Sequence, residues 1–257
     1  MTPPLSVAFD AGQTRAAFSI FHPKGNILTA DLIGAFRTAL DEVAHNPHLK
    51  LITIEGAGTD FSFGASIPEH VPGKIDIVLP EMHALIYELL EAPAPTAAVV
   101  RGRCFGGGFE LALACDFILA DATASFALPE ISLGVFPPAA AALLSLRVGA
   151  ARATRAVLTG EAVAAADWAS TGLVELIADD RGLKAGVDAW FAKHLASRSG
   201  AALRHAAAAA RMGVLAQVRA VLPRLERLYL DDLMRTRDAV EGIDAFMARR
   251  TPSWTDR

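Results

Sequence analysis

The chain has 257 residues, 53% apolar and 20% charged, which excludes a disordered protein and fits one large domain or a core with a smaller appendage. Its net charge of −4 excludes a global pull toward nucleic acid or anionic membrane, so an anionic ligand must be met by local basic groups. The start, "MTPPLSVAFD", lacks the basic region and apolar run of a secretory signal, and no uninterrupted apolar window reaches the roughly 18 residues of a membrane span.

These features predict a soluble protein of the reducing cytoplasm with neither nucleic acid nor membrane as partner. Cys104 and Cys115 have no CxxC spacing and no histidine pattern suited to zinc. They read as buried thiols, with no metal site expected.

In chain order, "LSVAFD" and "RAAFSIF" alternate in polarity around a Gly-containing turn and predict a β-hairpin. Leu32, Phe36, Ala39, Leu40 and Val43 then recur at helical spacing behind a Thr29 cap. "LKLITIEGAG" reads as a buried strand, and "EMHALIYELLEA" as a helix stopped by Pro93 and Pro95. "TAAVVRG" is a strand, "GGGFELALAC" a helix start and "DFILAD" a further strand. Strand and helix alternate to about Ile177, which implies an α/β architecture with right-handed crossovers. Beyond Asp180 the chain is helix-forming throughout. The division expected is a core over 1–180 that carries the site and a helical region over 181–257. The alanine run at 206–210 reads as helix propensity and close packing.

The chemistry begins at "RGRCFGGGFELALACD". Residues 106–108 follow a strand and open a helix, where backbone N–H groups lack partners and the helix dipole is positive. Glycine lets another group approach that backbone, so the turn can hold a phosphate or a developing oxyanion. A dinucleotide fingerprint fails because position 104 is Cys, and a P-loop fails because Gly108 precedes Phe109. Taken alone, the three glycines fit a ligand-free turn equally well.

A second glycine loop, "GTDFSFGASIPEH", also follows a strand and offers amides around Gly64 and Ala65. Glu110 and Glu130 each stand in apolar company, Glu130 within "ASFALPEISLG". Two carboxylates so placed suit paired acid/base work, because burial can set each pKa for its task.

Together with "FSFGAS" and "VLTGEAVAAADWASTGLVELI", these motifs resemble the enoyl-CoA hydratase/isomerase (crotonase) superfamily over most of the chain, from about Val7 to "AVEGIDAFMARR". The resemblance implies a spiral of ββα units followed by a helical trimerisation region, assembled as a homotrimer or a dimer of trimers. It implies no cofactor, since coenzyme A is part of the substrate. The thioester oxygen of an acyl-CoA would be held by the amides of Ala65 and Gly107. Glu110 would orient and deprotonate water, and Glu130 would supply the proton. Lys24, Ser66, Ile67, Gly106 and Phe136 would border the substrate. Phe246 and Arg249 match the terminal helix that reaches a neighbouring subunit's CoA.

The sequence departs from the family pattern at two places. Ser66 replaces a frequent Asp after the oxyanion alanine, and "PPAAAALL" replaces a glycine-rich "PGAGG". The second change makes the segment bulkier and stiffer beside Phe136. "FGASIPEH", "LGVFPP" and "LERLYLDDLMRTRDAVEG" resemble the cyclohexa-1,5-diene-1-carbonyl-CoA hydratase branch, which acts in benzoyl-CoA breakdown. The alternatives are a hydratase of ordinary 2-enoyl-CoA, an isomerase or thioester hydrolase on the same scaffold, and a non-catalytic CoA- or RNA-binding member. The retained glutamate pair weighs against the isomerase and the inert scaffold.

Overall fold

The computed structural model describes residues 3–71, 73–177 and 180–257. Its first two strands, β1 (Leu5–Phe9) and β2 (Arg15–Ile20), form the expected antiparallel hairpin, with Ala16, Phe18 and Ile20 buried on alternate positions. The other strands are β3 (Leu51–Gly56), β4 (Thr96–Val100), β5 (Arg103–Phe105), β6 (Phe117–Ala120), β7 (Ser125–Ala127), β8 (Val163–Ala164) and β9 (Glu175–Leu176). One sheet runs β1-β2-β3-β4-β6-β9, parallel from β2 onward. A second, smaller sheet runs β5-β7-β8.

Helix α1 (Ala30–Ala44) crosses from β2 to β3 and α2 (Ile75–Leu90) from β3 to β4. The Thr29 hydroxyl accepts from Leu32 N at 3.3 Å, and the five apolar positions expected to face inward are all buried. The second helix begins at Ile75, six residues before the expected Glu81, with Pro80 inside it. Proline there removes one backbone donor, while the added turns bury Ile75, Val78 and Leu79. Burial outweighs the lost bond. The short strand β5 was not anticipated, because its three residues sit between Gly102 and Gly106 in a stretch that reads as a turn.

Helix α3 (Gly107–Leu113) leaves the glycine turn, and α4 (Pro138–Val148), α5 (Ala150–Thr159) and α6 (Ala165–Ala169) follow. Past residue 180 the described chain is helical: α7 (Leu183–Phe191), α8 (Gly200–Arg227) and α9 (Arg237–Met247). Val218 and Leu222 of α8 join the main core between sheet and helices. Of the 206–210 run only Ala207 is buried, so propensity rather than packing explains most of those alanines.

Arg211 locks α8 to the sheet. Its Nε and Nη2 donate to the two carboxylate oxygens of Asp116 at 2.8 and 2.5 Å, and its Nη1 and Nη2 donate to the carbonyls of Ala92 and Ala94. Such a buried, fully partnered charge pair fixes how the helix docks. Cys104 and Cys115 are buried and unpaired. Among the described residues no helix is long and apolar enough to cross a membrane.

Candidate active site

The two glycine loops touch. A Cβ built on Gly64 would lie 2.9 Å from Phe105 O and 3.3 Å from Gly107 N, and one built on Gly107 would lie 3.3 Å from Ala65 N. Gly64 and Gly106 have φ of +100° and +51°, a region that L side chains rarely adopt. Ser62 ties the loops together: its hydroxyl donates to Asn26 O and accepts from Gly64 N, while its carbonyl accepts from Phe105 N. The Ala65 and Gly107 amides donate to no acceptor among the described residues. Both border one pocket that also takes in Glu110, Glu130, Phe136, Pro137 and Pro138. Two free amides beside a helix N-terminus can hold an oxyanion.

Glu110 stands in the first turn of α3 and is buried. Burial raises its pKa, partly offset by the amides of Ala140 and Ala139 and by His83. Ala140 N donates to Glu110 Oε1 at 2.9 Å. Glu130 lies in a 3-10 turn, Pro129–Leu133, that Gly134 ends at φ +71°. Its Oε2 is buried without a hydrogen-bond partner, and its pKa is pushed up to about 8 by burial and then by the charge of Glu110. The compensation is unequal. Of the two, Glu110 has hydrogen-bond compensation for a charge and Glu130 has none, which favours Glu130 as the one that keeps a proton.

Gly106 is shaped by that second carboxylate, since a Cβ on it would lie 2.6 Å from Glu130 Oε1. Gly106→Ala should therefore displace Glu130 and strain the turn, lowering kcat about tenfold and the unfolding free energy by about 1–3 kcal/mol. Steady-state kinetics and a thermal melt read both effects, and an unchanged kcat would mean the Glu130 position is not needed.

Of the remaining expected residues, Ile67 and Gly106 border an adjoining recess with His70, Glu130 and Ile243. Lys24 lines a separate surface groove with His22 and Asp60, and Phe63 borders both groove and recess. Ser66 lies between pocket residues but is itself buried, its amide donating to Leu28 O and its carbonyl accepting from His70 Nδ1. It braces the loop rather than bordering the pocket. Phe246 and Arg249 sit at the exposed end of the last helix and border none of these hollows, although Ile243 of the same helix reaches the recess.

The comparisons with known proteins agree with this geometry. Residues 14–257 match the model of the Enoyl-CoA hydratase/isomerase family. The chain belongs to that family.

Relatives of this hydratase/isomerase include the cyclohexa-1,5-dienecarbonyl-CoA hydratase of Thauera aromatica, 38% identical over 254 residues and spanning 99% of this chain and 98% of that protein. The 2,3-dehydroadipyl-CoA hydratase of Escherichia coli is 32% identical across 90% of this chain and 91% of its own. The solved enoyl-CoA hydratase of Mycobacterium avium subsp. paratuberculosis K-10 superposes with a TM-score of 0.86 at 33% identity, covering 98% of this chain and 99% of that one. The protein is thus an enzyme of the hydro-lyase type with the crotonase fold.

Four polar residues around the hydratase/isomerase site escaped the sequence reading. His83 is buried in α2, with Nδ1 2.6 Å from Glu226 Oε2 and with Nε2 lacking a partner. It favours the ionised form of Glu110. His70 lines the pocket, and burial lowers its pKa. Tyr229 lines it too. Each sits in a helical or turn segment whose pattern is fully explained by packing, so no local signal marked it.

Proposed function

We propose that the protein adds water to a conjugated cyclic dienoyl-CoA, of the cyclohexa-1,5-diene-1-carbonyl-CoA kind. The observation that carries the hydration is the unequal glutamate pair beside two free amides. Glu110 takes a proton from water, whose oxygen bonds to the β-carbon. The displaced π electrons move toward the thioester oxygen, held by the amides of Ala65 and Gly107. They return to bond the proton of Glu130 at the far end of the diene. Coenzyme A enters as part of the substrate, and the chain's own groups suffice.

The cyclic acyl group is supported by the Thauera aromatica relative and by the stiff wall of Phe136, Pro137 and Pro138. Turnover of the cyclic dienoyl-CoA should exceed that of crotonyl-CoA in kcat/KM when both are followed by loss of enoyl-thioester absorbance. The reverse order would make the protein a general 2-enoyl-CoA hydratase, and free thiol release would make it a hydrolase.

The assembly we propose is a homotrimer or pair of trimers in which Phe246 and Arg249, both exposed, meet a neighbour's CoA. Arg249→Ala should then raise KM several-fold and leave kcat nearly unchanged, because phosphate contacts far from the double bond serve ground and transition states alike. The effect should shrink with added salt and on a pantetheine thioester. An equal effect on CoA and pantetheine substrates would remove Arg249 from phosphate binding.

A further inference from the structure

One polar group in the pocket has no part in the chemistry derived so far. Tyr229 is 2% exposed, borders the same pocket as Glu110 and Glu130, and its hydroxyl has no hydrogen-bond partner among the described residues. Glu130 Oε2 is buried and unpartnered in that pocket as well. Two buried polar groups left open in one hollow are costly unless a bound molecule serves both.

The tyrosine is held in place by its surroundings. It lies in a π-helical turn, Leu228–Asp232, that continues α8, and such turns re-aim side chains at functional sites. Its ring meets Phe136 edge-on, with centroids 5.5 Å apart and planes at 68°. Burial and the two glutamate charges raise the phenol's pKa, so it keeps its proton and remains a donor.

Several other polar groups bordering the pocket are already engaged. Pro137 and Pro138 have no N–H. The Ala140 amide serves Glu110, and His70, neutral through burial, gives its Nδ1 hydrogen to Ser66 O. The amides of Ala65 and Gly107 are taken by the thioester oxygen. Ionised Glu110 accepts one hydrogen of the water and the Glu130 proton goes to carbon, so the water's oxygen stays open to a further donor, which the unpartnered phenol can supply.

We propose that Tyr229 is a third catalytic group of the hydration, donating a hydrogen bond to the oxygen of the water that the glutamates activate. The proposal rests on the hydration reading and deepens it. The proton balance is unchanged: water loses its proton to Glu110, its oxygen bonds to the β-carbon, and Glu130 protonates carbon. Tyr229 neither gains nor loses a proton. It fixes where the water stands and then holds the product's new hydroxyl.

The test is Tyr229→Phe, which keeps the ring against Phe136 and removes only an unpaired hydroxyl. We expect kcat for hydration to fall about tenfold or more, with KM within about twofold. Binding gives the second readout by titration calorimetry. The cyclic hydroxyenoyl-CoA product should bind the variant about 5- to 10-fold more weakly than wild type, the scale of one lost hydrogen bond. The matching cyclic enoyl-CoA without the hydroxyl should bind both equally, which also shows the variant folded. Unchanged kcat and product affinity would overturn the proposal, as would equal weakening of both ligands, which would mean packing alone. Wild type that hydrates neither cyclic dienoyl-CoA nor crotonyl-CoA would sink the hydration reading itself, and this proposal with it. Active wild type with an equally active variant would sink Tyr229 alone.

Discussion

Glu110→Gln and Glu130→Gln should each lower kcat by about 10²-fold or more while acyl-CoA still binds, since the loop amides are untouched. The two variants should differ in their dependence on pH. Glu130, with a pKa pushed up to about 8, holds its proton at neutrality, so wild-type kcat should fall as the pH rises past about 8. That proton is also a stability statement. Between the ordinary carboxyl value of 4.5 and about 8 the folded chain keeps a proton the unfolded chain has released, so stability declines as pH rises through that window. Glutamine carries no such penalty. Glu130→Gln should therefore melt at a higher temperature than wild type, with a gap that widens from pH 5 to pH 8. Near-wild-type hydration by either variant would remove the pair from the mechanism, and a gap that stayed flat with pH would deny the raised pKa.

Gly107→Val should lower kcat/KM by about 10³-fold or more, through both affinity and rate. A Cβ at this position already falls 3.3 Å from Ala65 N and 3.5 Å from Leu28 Cδ1, so branched methyls would fill the space between the two amides. The thioester oxygen needs about 2.7–3.1 Å from each donor, and losing one oxyanion donor costs about 10²–10³-fold. Overpacking could also destabilise the protein by about 1–3 kcal/mol. Gly107→Ala separates the two effects, because a single methyl requires its neighbours to give by only tenths of an ångström. The alanine variant should fold and remain impaired. Full activity in it would place the oxyanion amide elsewhere.

Much of this site was legible because its signals are local. Glycines that break a strand-to-helix junction, and glutamates that interrupt apolar runs, contradict what packing alone would select. Thr29 and the stripe it caps were legible for the same reason, since spacing and capping chemistry coincide within one segment. What escaped is tertiary. Arg211 reads as one more cation on an alanine-rich surface helix until Asp116 and two carbonyls, about a hundred residues earlier, close around it. His83 sits in a helix that would be hydrophobic on the same face without it, and its partner Glu226 is 143 positions away. The early start of α2 was hidden by Pro80, whose helix-breaking tendency is overridden by burial.

The docking of α8 through Arg211 has a consequence for the order in which the enzyme assembles. A ribosome delivers both glutamates and both glycine loops well before it delivers residue 229, which follows Glu110 by 119 positions (229 − 110). Bringing groups of such separation together costs loop-closure entropy that grows slowly with the intervening length. A nascent chain that has just reached the second glutamate still lacks the tyrosine that borders the pocket. The Asp116 carboxylate, which also accepts from Thr96 N at 2.8 Å, holds Arg211 and with it the helix whose continuation carries the tyrosine at the pocket. The pocket that Tyr229 borders is therefore complete, and able to exclude bulk water, only once the C-terminal helices have docked.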